Sequence, residues 1–494
     1  MKMFQVKDAL SETDTRRALW LIIVDGLVAQ AMVTLTTGVF LVALALHLGA
    51  SNFVIGLLAG IVPIMQLLQI PAIFLVERAR NRRAVATLAS LFSRAFLLVI
   101  AFIPFLLSGQ AALTLLLGTV TLKAALSAVA NCSWNSWMRD VIPQSILGNF
   151  YSKRIRLATV ATVTFSIAAG AFVDAWTKHY PDMQIHAYSL LFFAGFLAGM
   201  AGVCLLALTP EPRMTPAQGS FVSRLVKPFQ DANFRRLLFF LGSWSFAANL
   251  AAPFFTVYML QQLDLPMSLI IGLGVLSQTV NFSLLQFWGS FSDKFSNKAV
   301  LSFCVPLFFI CVFAWTFTKL PTKHFLTMPM LIAIHIALGV ATAGTTLSTG
   351  NIGMKLAPRG EATSYLAAGA MVNNLAAGLA PIFGGQFADS FAFRELSMTL
   401  RWQSPGTLME IQTLNFQYWD FFFVLAFLIG LCSLYFLARV REAGDVEEGI
   451  GLDGLIAEIR RSLRPFSTVG GLRQMLHFPF GALRHPPRRG QGPA

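Results

Sequence analysis

The stretch LWLIIVDGLVAQAMVTLTTGVFLVALALHL, residues 19–48, holds no lysine or arginine and a single acid, Asp25. It is longer than the roughly 20 residues that cross the hydrocarbon core of a bilayer as a helix. Runs of this kind recur to the end of the chain, and their interruptions divide it into twelve spans. They lie near 18–46, 52–76, 84–107, 111–134, 155–176, 187–208, 236–262, 267–291, 299–318, 328–352, 363–388 and 420–438. In lipid every backbone polar group must find its partner inside the protein, which a helix achieves within its own segment. The expected fold class is therefore an all-α polytopic membrane protein. Its composition agrees, since 12% of residues are charged and 56% hydrophobic, against about 25% charged residues in soluble domains.

The polar leader MKMFQVKDALSETDTRR precedes a run too long for a cleaved signal peptide. Within it Ser11 and Asp14 have the spacing of a helix capping box. The five cysteines fall in or near spans without metal-ligand spacing, and read as buried free thiols, so no cofactor or metal is expected. With both termini on the cytoplasmic side, 30 of the 37 basic residues fall in cytoplasmic segments, as the positive-inside rule requires. Arg94 and Lys123 lie inside the membrane. The net charge of +14 then reflects topology and contact with anionic lipid, with no call for nucleic acid.

The chain repeats itself. FLVERARNRR follows the second span and GSFSDKFSNK the eighth, with Asp293 lying 216 residues beyond Glu77. Gly56 and Gly272 are also 216 apart, while Pro143 and Pro358, and Asp174 and Asp389, are 215 apart. The chain thus reads as a cytoplasmic N-terminus (1–17), a six-helix bundle (18–208), a central linker (209–235), a second six-helix bundle (236–438) and a basic tail (439–494). Parallel six-helix repeats are a transporter architecture.

At this point the sequence resembles the major facilitator superfamily across residues 15–440. GSFSDKFSNK matches the family's loop signature between its second and third helices, with Gly289, Asp293, Lys294 and Lys298 in the conserved-type positions. FLVERARNRR is a looser copy, with Ile73 for the glycine, Glu77 for the aspartate, and Arg78, Arg82 and Arg83 following. The resemblance implies that these charges, together with Asp140 and Arg154 after the fourth span and Lys355, Arg359 and Glu361 after the tenth, form ion pairs between the halves in the outward-facing state. The Gly-Pro-rich signature of multidrug antiporters is absent from RLATVATVTFSIAAGAFVD.

The resemblance also implies that the first, fourth, seventh and tenth helices line a midplane cavity. Their polar residues include Asp25 and Gln30, Lys123 and Asn131, Trp244 and Asn249, and His335, and the second helix adds Gln66. At about 1.5 Å per residue, Asp25 lies roughly 12 Å from the cytoplasmic face and Lys123 roughly 20 Å below the outer one. In a core about 30 Å thick these depths coincide, so an Asp25–Lys123 pair is expected, with Arg94 at a similar level on the third helix. Intramembrane carboxylates mark proton or substrate paths, and Asp25 is the expected coupling residue.

In the tail, Leu452, Leu455, Ile456, Ile459 and Leu463 form an apolar stripe beside Arg460, Arg461 and Arg464, which suits an interfacial helix on anionic lipid. The sequence therefore predicts a monomeric secondary transporter in a bacterial cytoplasmic membrane. It would move a small anionic or polyol-like solute by alternating access with protons as the coupling ion. Efflux of a lipophilic or metal-chelate compound, and a non-transporting assembly factor or receptor on the same fold, are the alternatives. No nucleophile–base set points to an enzyme.

Overall fold

The computed structural model describes residues 6–8, 10–214, 221–319, 324–358, 361–404 and 407–442. The tail helix expected beyond residue 442, and Arg359 of the expected gate, lie outside them. The first span is two helices in line, α1 (Glu12–Thr36) and α2 (Val39–His47), joined at Gly38, whose φ of 60° is one a glycine adopts freely. The capping box at its start is present: Ser11 Oγ accepts from Asp14 N at 3.1 Å, and Asp14 accepts from Ser11 N. The second span is broken into α3 (Asn52–Gln66) and α4 (Gln69–Ala79), bent by 43°. Pro63 lies one turn ahead of the break and supplies no N–H. Gln66 and Gln69 hydrogen-bond across the break.

Four long helices complete the first half: α5 (Arg82–Leu106), α6 (Gly109–Val141), α7 (Leu147–His179) and α8 (Gln184–Leu208). A short linker helix, α9 (Phe221–Gln230), leads to α10 (Ala232–Gln261), α11 (Met267–Lys294), α12 (Asn297–Ala314), α13 (Thr327–Leu356) and α14 (Ala362–Phe391). The last span is α15 (Trp419–Ala438). Eleven helical stretches among the described residues are long and apolar enough to cross a bilayer, and the bent α3/α4 pair makes twelve.

One feature departs from an all-helical chain. Between α14 and α15, β1 (Glu395–Ser404) and β2 (Thr407–Gln417) pair as an antiparallel hairpin, in register from Glu395↔Gln417 to Ser404↔Thr407 with a bulge at Met398/Thr399. The sequence carries the signal. Leu396, Met398, Leu400 and Trp402 alternate with Ser397, Thr399, Arg401 and Gln403, and a Pro-Gly pair separates the two runs.

Helices in lipid gain little from apolar burial against one another, so close packing and small residues bring them together. The two halves meet most tightly where α3 crosses α14. A Cβ on Gly56 would lie 2.1 Å from Pro381 O, and one on Gly60 2.2 Å from Gly378 O. A second contact joins α7 to α11, where a Cβ on Gly170 would lie 3.3 Å from Ser268 Cα. These contacts lie toward the membrane face that carries the hairpin, here the far face. The face that carries the linker and the clustered basic residues is the basic face. Large side chains such as Phe92, Ile155 and Phe383 are exposed on the perimeter, as a lipid-facing surface requires. All five cysteines are free; Cys304 and Cys311 are buried, Cys132 is half-buried, and Cys204 and Cys432 are exposed rather than buried as expected.

Candidate functional site: a buried charge cluster and two anchored faces

Asp25 is buried on α1, and the cation that reaches it is Arg94 of α5, with Nη2 4.0 Å from Oδ1. The expected partner, Lys123, is not paired with it. Three charges share one depth, but depth says nothing about which way each side chain points around its helix. That direction is set here by α8. Gly199 and Gly202 leave a slot in which Arg94 Nη1 donates to Gly199 O at 2.7 Å. A Cβ on Gly202 would sit 2.4 Å from Arg94 Nη1 and 3.1 Å from Asp25 Oδ1. The pair therefore lies inside the first half, among α1, α5 and α8.

Arg154 comes to the same cluster. The expectation set it with Asp140 in a cytoplasmic gate, but its side chain turns inward over Gly26, where a Cβ would meet Nε at 2.8 Å. Its guanidinium lies 4.8 Å from the ring centroid of Trp134, a cation–π contact, and its charge acts on Asp25. Asp25 Oδ1 and Arg154 Nε are buried with no hydrogen-bond partner. Lys123 is half-buried on α6 and feels the charge of Arg94. Ser93, next to Arg94, donates to Lys123 O at 2.9 Å and bonds Ser127. One carboxylate thus faces two cations, from α5 and α7, and no hydrogen bond joins it to either; Lys123 of α6 lies on the Arg94 side of the cluster.

The remaining cavity candidates separate. Gln30 is half-buried on α1. Gln66 serves the α3/α4 break. Asn249 bonds back to Ser245 O at 2.8 Å. Trp244 packs edge-on to Phe308 and Phe309 within the second half. His335 is buried there too, bonded to Leu331 O at 2.7 Å and edge-on to Trp315. These last two are placed as packing residues of a bundle interior, a role that residue type alone does not distinguish from a cavity wall.

On the basic face two acids gather charges within their own halves. Glu211, just past α8, accepts from Arg82 N at 2.7 Å and Arg83 N at 3.0 Å, capping α5. Its carboxylate also meets the buried Arg82 guanidinium, which in turn bonds Asp140, Ser136 O and Pro212 O. Glu442, just past α15, repeats the arrangement on α12. It accepts from Asn297 Nδ2 at 2.7 Å, Lys298 N at 2.9 Å and Lys355 Nζ at 3.1 Å. Burial pushes the Glu442 carboxyl up, but these donors outweigh it and hold it below its ordinary value. Glu361 pairs with Lys227 of the linker helix at 2.6 Å. Glu77, Arg78, Asp293 and Lys294 are exposed, the last over the ring of Phe295, and Gly289 packs loosely against Leu347.

Glu211 and Glu442 are the functional-looking residues that sequence reasoning missed. Their targets, Arg82–Arg83 and Asn297–Lys298, keep the repeat offset of 215, whereas the acids are 231 apart. The extra length is the hairpin, which enters the second half between α14 and α15.

Comparison with known proteins agrees with this architecture. No curated protein matches the chain in sequence. Among solved structures, a point mutant of the nucleoside transporter NupG superposes with a TM-score of 0.67 at 12% identity, over 86% of this chain and 100% of that one. A bacterial homolog of the human lysosomal transporter Spinster, inward-facing and unoccupied, gives 0.60 at 16% identity, over 78% and 84%. A bacterial homologue of the iron transporter ferroportin, also inward-facing, gives 0.58 at 11% identity, over 87% and 99%. At these identities the likeness is one of fold. The sequence itself matches the Major Facilitator Superfamily over residues 26–381, and with twelve spans in two repeated halves the chain is a membrane transporter protein of that superfamily.

Proposed function

We propose that the chain moves a small anionic or polyol-like solute across a bacterial cytoplasmic membrane by alternating access, as a monomer, with protons coupled through Asp25. The observation that carries this reading is the Asp25 cluster: a buried carboxylate facing Arg94 and Arg154 without a hydrogen bond to either. Burial disfavours the charged form of a carboxylate and nearby cations oppose that, so losing a cation favours the protonated form. Arg154 stands on α7, which also touches the other half at α11, so a shift of α7 against α1 as that contact breaks would move one of the two cations. Buried ion pairs add little net stability, so a purely structural purpose explains poorly why two cations converge on this one carboxylate. The excess of positive charge in the cluster favours an anionic or hydroxyl-rich solute.

If the basic face is cytoplasmic, as its charge favours, the closed far face corresponds to the inward-facing state. Arg82, Arg83, Asp140, Lys298 and Lys355 then bond within their own halves, and pairs between the halves would form when the basic face closes. A thermal-shift screen of small anions and polyols identifies the solute, and proteoliposomes under an imposed proton gradient measure its accumulation. Asp25→Asn is expected to abolish accumulation and spare counterflow exchange. Full accumulation by Asp25→Asn would overturn the coupling role, and absence of accumulation by the wild-type chain with every solute that binds would overturn transport in favour of an assembly factor or receptor.

A further inference from the structure

The far face is closed by two carboxylates, one from each half. Asp174, near the end of α7, accepts from Met267 N and Ser268 N, both at 2.9 Å. Asp389, near the end of α14, accepts from Asn52 N at 3.1 Å, Asn52 Nδ2 at 2.8 Å and Phe53 N at 2.8 Å. Each acid therefore caps the first turn of a helix that belongs to the opposite half.

The backbone part of this arrangement repeats. Asp174 and Asp389 are 215 residues apart, and so are the capped pairs Asn52–Phe53 and Met267–Ser268. Four residues before each acid, on the same helix face, stands a glycine: Gly170 and Gly385, again 215 apart. A Cβ on Gly385 would lie 2.2 Å from Asn52 O, and one on Gly170 3.3 Å from Ser268 Cα. Glycine lets the backbones approach, and one turn later the aspartate reaches the free N–H groups.

The capped helices supply little of their own. α11 starts after Pro266, which has no capping side chain, and α3 starts after Ser51, whose hydroxyl reaches only Val54 N. The first two N–H groups of each helix are left to the other half.

We propose that Asp174 and Asp389 are twin latches that set the equilibrium between the far-face-closed and far-face-open states. Carboxylates are favoured at helix N-termini by the exposed donors and the helix dipole. Both contacts join the two halves, so both exist only while the far face is shut. Contacts confined to one state are what shift an equilibrium. In the open state water takes the place of each carboxylate. The Asn52 amide also bonds the Tyr418 hydroxyl, which ties the α3 latch to the start of α15.

This inference rests on the alternating-access reading, but its test reads conformation and needs neither a solute nor a gradient. In a background with the five native cysteines replaced, spin-label pairs at Met183→Cys with Phe325→Cys report the far face. Pairs at Gln144→Cys with Met354→Cys report the basic face. All four positions are exposed. Asp174→Asn or Asp389→Asn alone should move the closed-to-open ratio about two- to fivefold, and the double variant about tenfold. Far-face distances should lengthen as basic-face distances shorten, a reciprocal change that simple loosening does not produce. Asp174→Glu and Asp389→Glu, which keep the charge, should stay closer to wild type, and Asp182→Asn, exposed on the same face, should not shift. If the double variant does not purify, the single variants carry the test. Unchanged distances in the Asn variants, equal shifts in the Glu variants, or the same shift in Asp182→Asn would overturn the proposal.

Discussion

Substituting Gly202 by alanine tests directly whether the slot in α8 holds the Asp25–Arg94 pair in place. The new methyl carbon would stand 2.4 Å from Arg94 Nη1 and 3.1 Å from Asp25 Oδ1. Ordinary contact begins about 1 Å farther out, so the guanidinium must retreat by roughly that amount. Retreat breaks the 2.7 Å bond to Gly199 O, a charged hydrogen bond worth about 1.5–3 kcal/mol when its acceptor is left buried. For a bundle of this half's size that corresponds to a fall in Tm of about 4–10 °C. The assay is thermal unfolding of detergent-purified protein followed by tryptophan fluorescence. Gly118→Ala, where nothing lies within 4 Å, is the helical control and should leave Tm unchanged. Gly199→Ala meets the flexible Met32 thioether at 3.0 Å and the Arg94 stem at 3.2 and 3.3 Å, looser contacts than at Gly202, and should cost less. The decisive comparison is Gly202→Ala in an Arg94→Met background, where the guanidinium is gone and the penalty should largely vanish. A Gly202→Ala protein as stable as wild type, or a penalty that persists without Arg94, would refute the reasoning.

Three further outcomes are expected. Gly56→Ala places a methyl carbon 2.1 Å from the backbone oxygen of Pro381, whereas its repeat counterpart Gly272 meets nothing within 4 Å; the first should lower Tm by the equivalent of about 1–3 kcal/mol and the second should be tolerated, as measured by the same fluorescence melts. Glu211→Gln leaves the buried Arg82 guanidinium without its buried counter-charge and should cost about 3–5 kcal/mol; Asp140→Asn, whose side chain is 36% exposed, should cost well under half of that. Because Glu442 is held below its ordinary carboxylate value, its stabilising effect is present above that value and is lost as pH falls through the lowered one; Tm recorded from about pH 6 to about pH 3 should fall less steeply for Glu442→Gln than for wild type.

The parts of the fold that follow from a local rule were legible in the sequence. Long apolar runs specify helices because lipid offers the backbone no partner, and Ser11 with Asp14 specifies the first cap. The hairpin at Glu395–Gln417 was equally legible from its two-residue alternation, but a segment between spans invites reading as a loop. The charge cluster was legible only in part. Counting residues from a membrane face fixed the depth of Asp25, Arg94 and Lys123, yet their pairing depends on direction around each helix. That direction is decided by what the sixth span leaves open, namely the Gly199 and Gly202 slot, and a single charged residue carries no record of it. Arg154 shows the same limit from the other side. Its place near a helix end marks it as a loop cation, and only the bare Gly26 backbone opposite lets it turn inward.

The repeat offset reached farther than any single motif, because it joins residues on different helices. An offset of 215 connects Asp174 to Asp389, Gly170 to Gly385 and Asn52–Phe53 to Met267–Ser268. Each half therefore supplies both an acid and a helix start, and the two halves exchange them across the far face. On the basic face the same design is turned inward. Glu211 and Glu442 cap α5 and α12 of their own halves, so these contacts can persist whichever way the halves tilt. One face thus carries carboxylate caps that must break for the molecule to open, and the other carries caps that each half can keep while it moves. Halves that keep their own caps, with state-specific contacts at one end, suit a two-state rocking motion. The Asp25 cluster lies inside the first half, so its response to that motion has to come through α7, the helix that carries both Arg154 and Asp174.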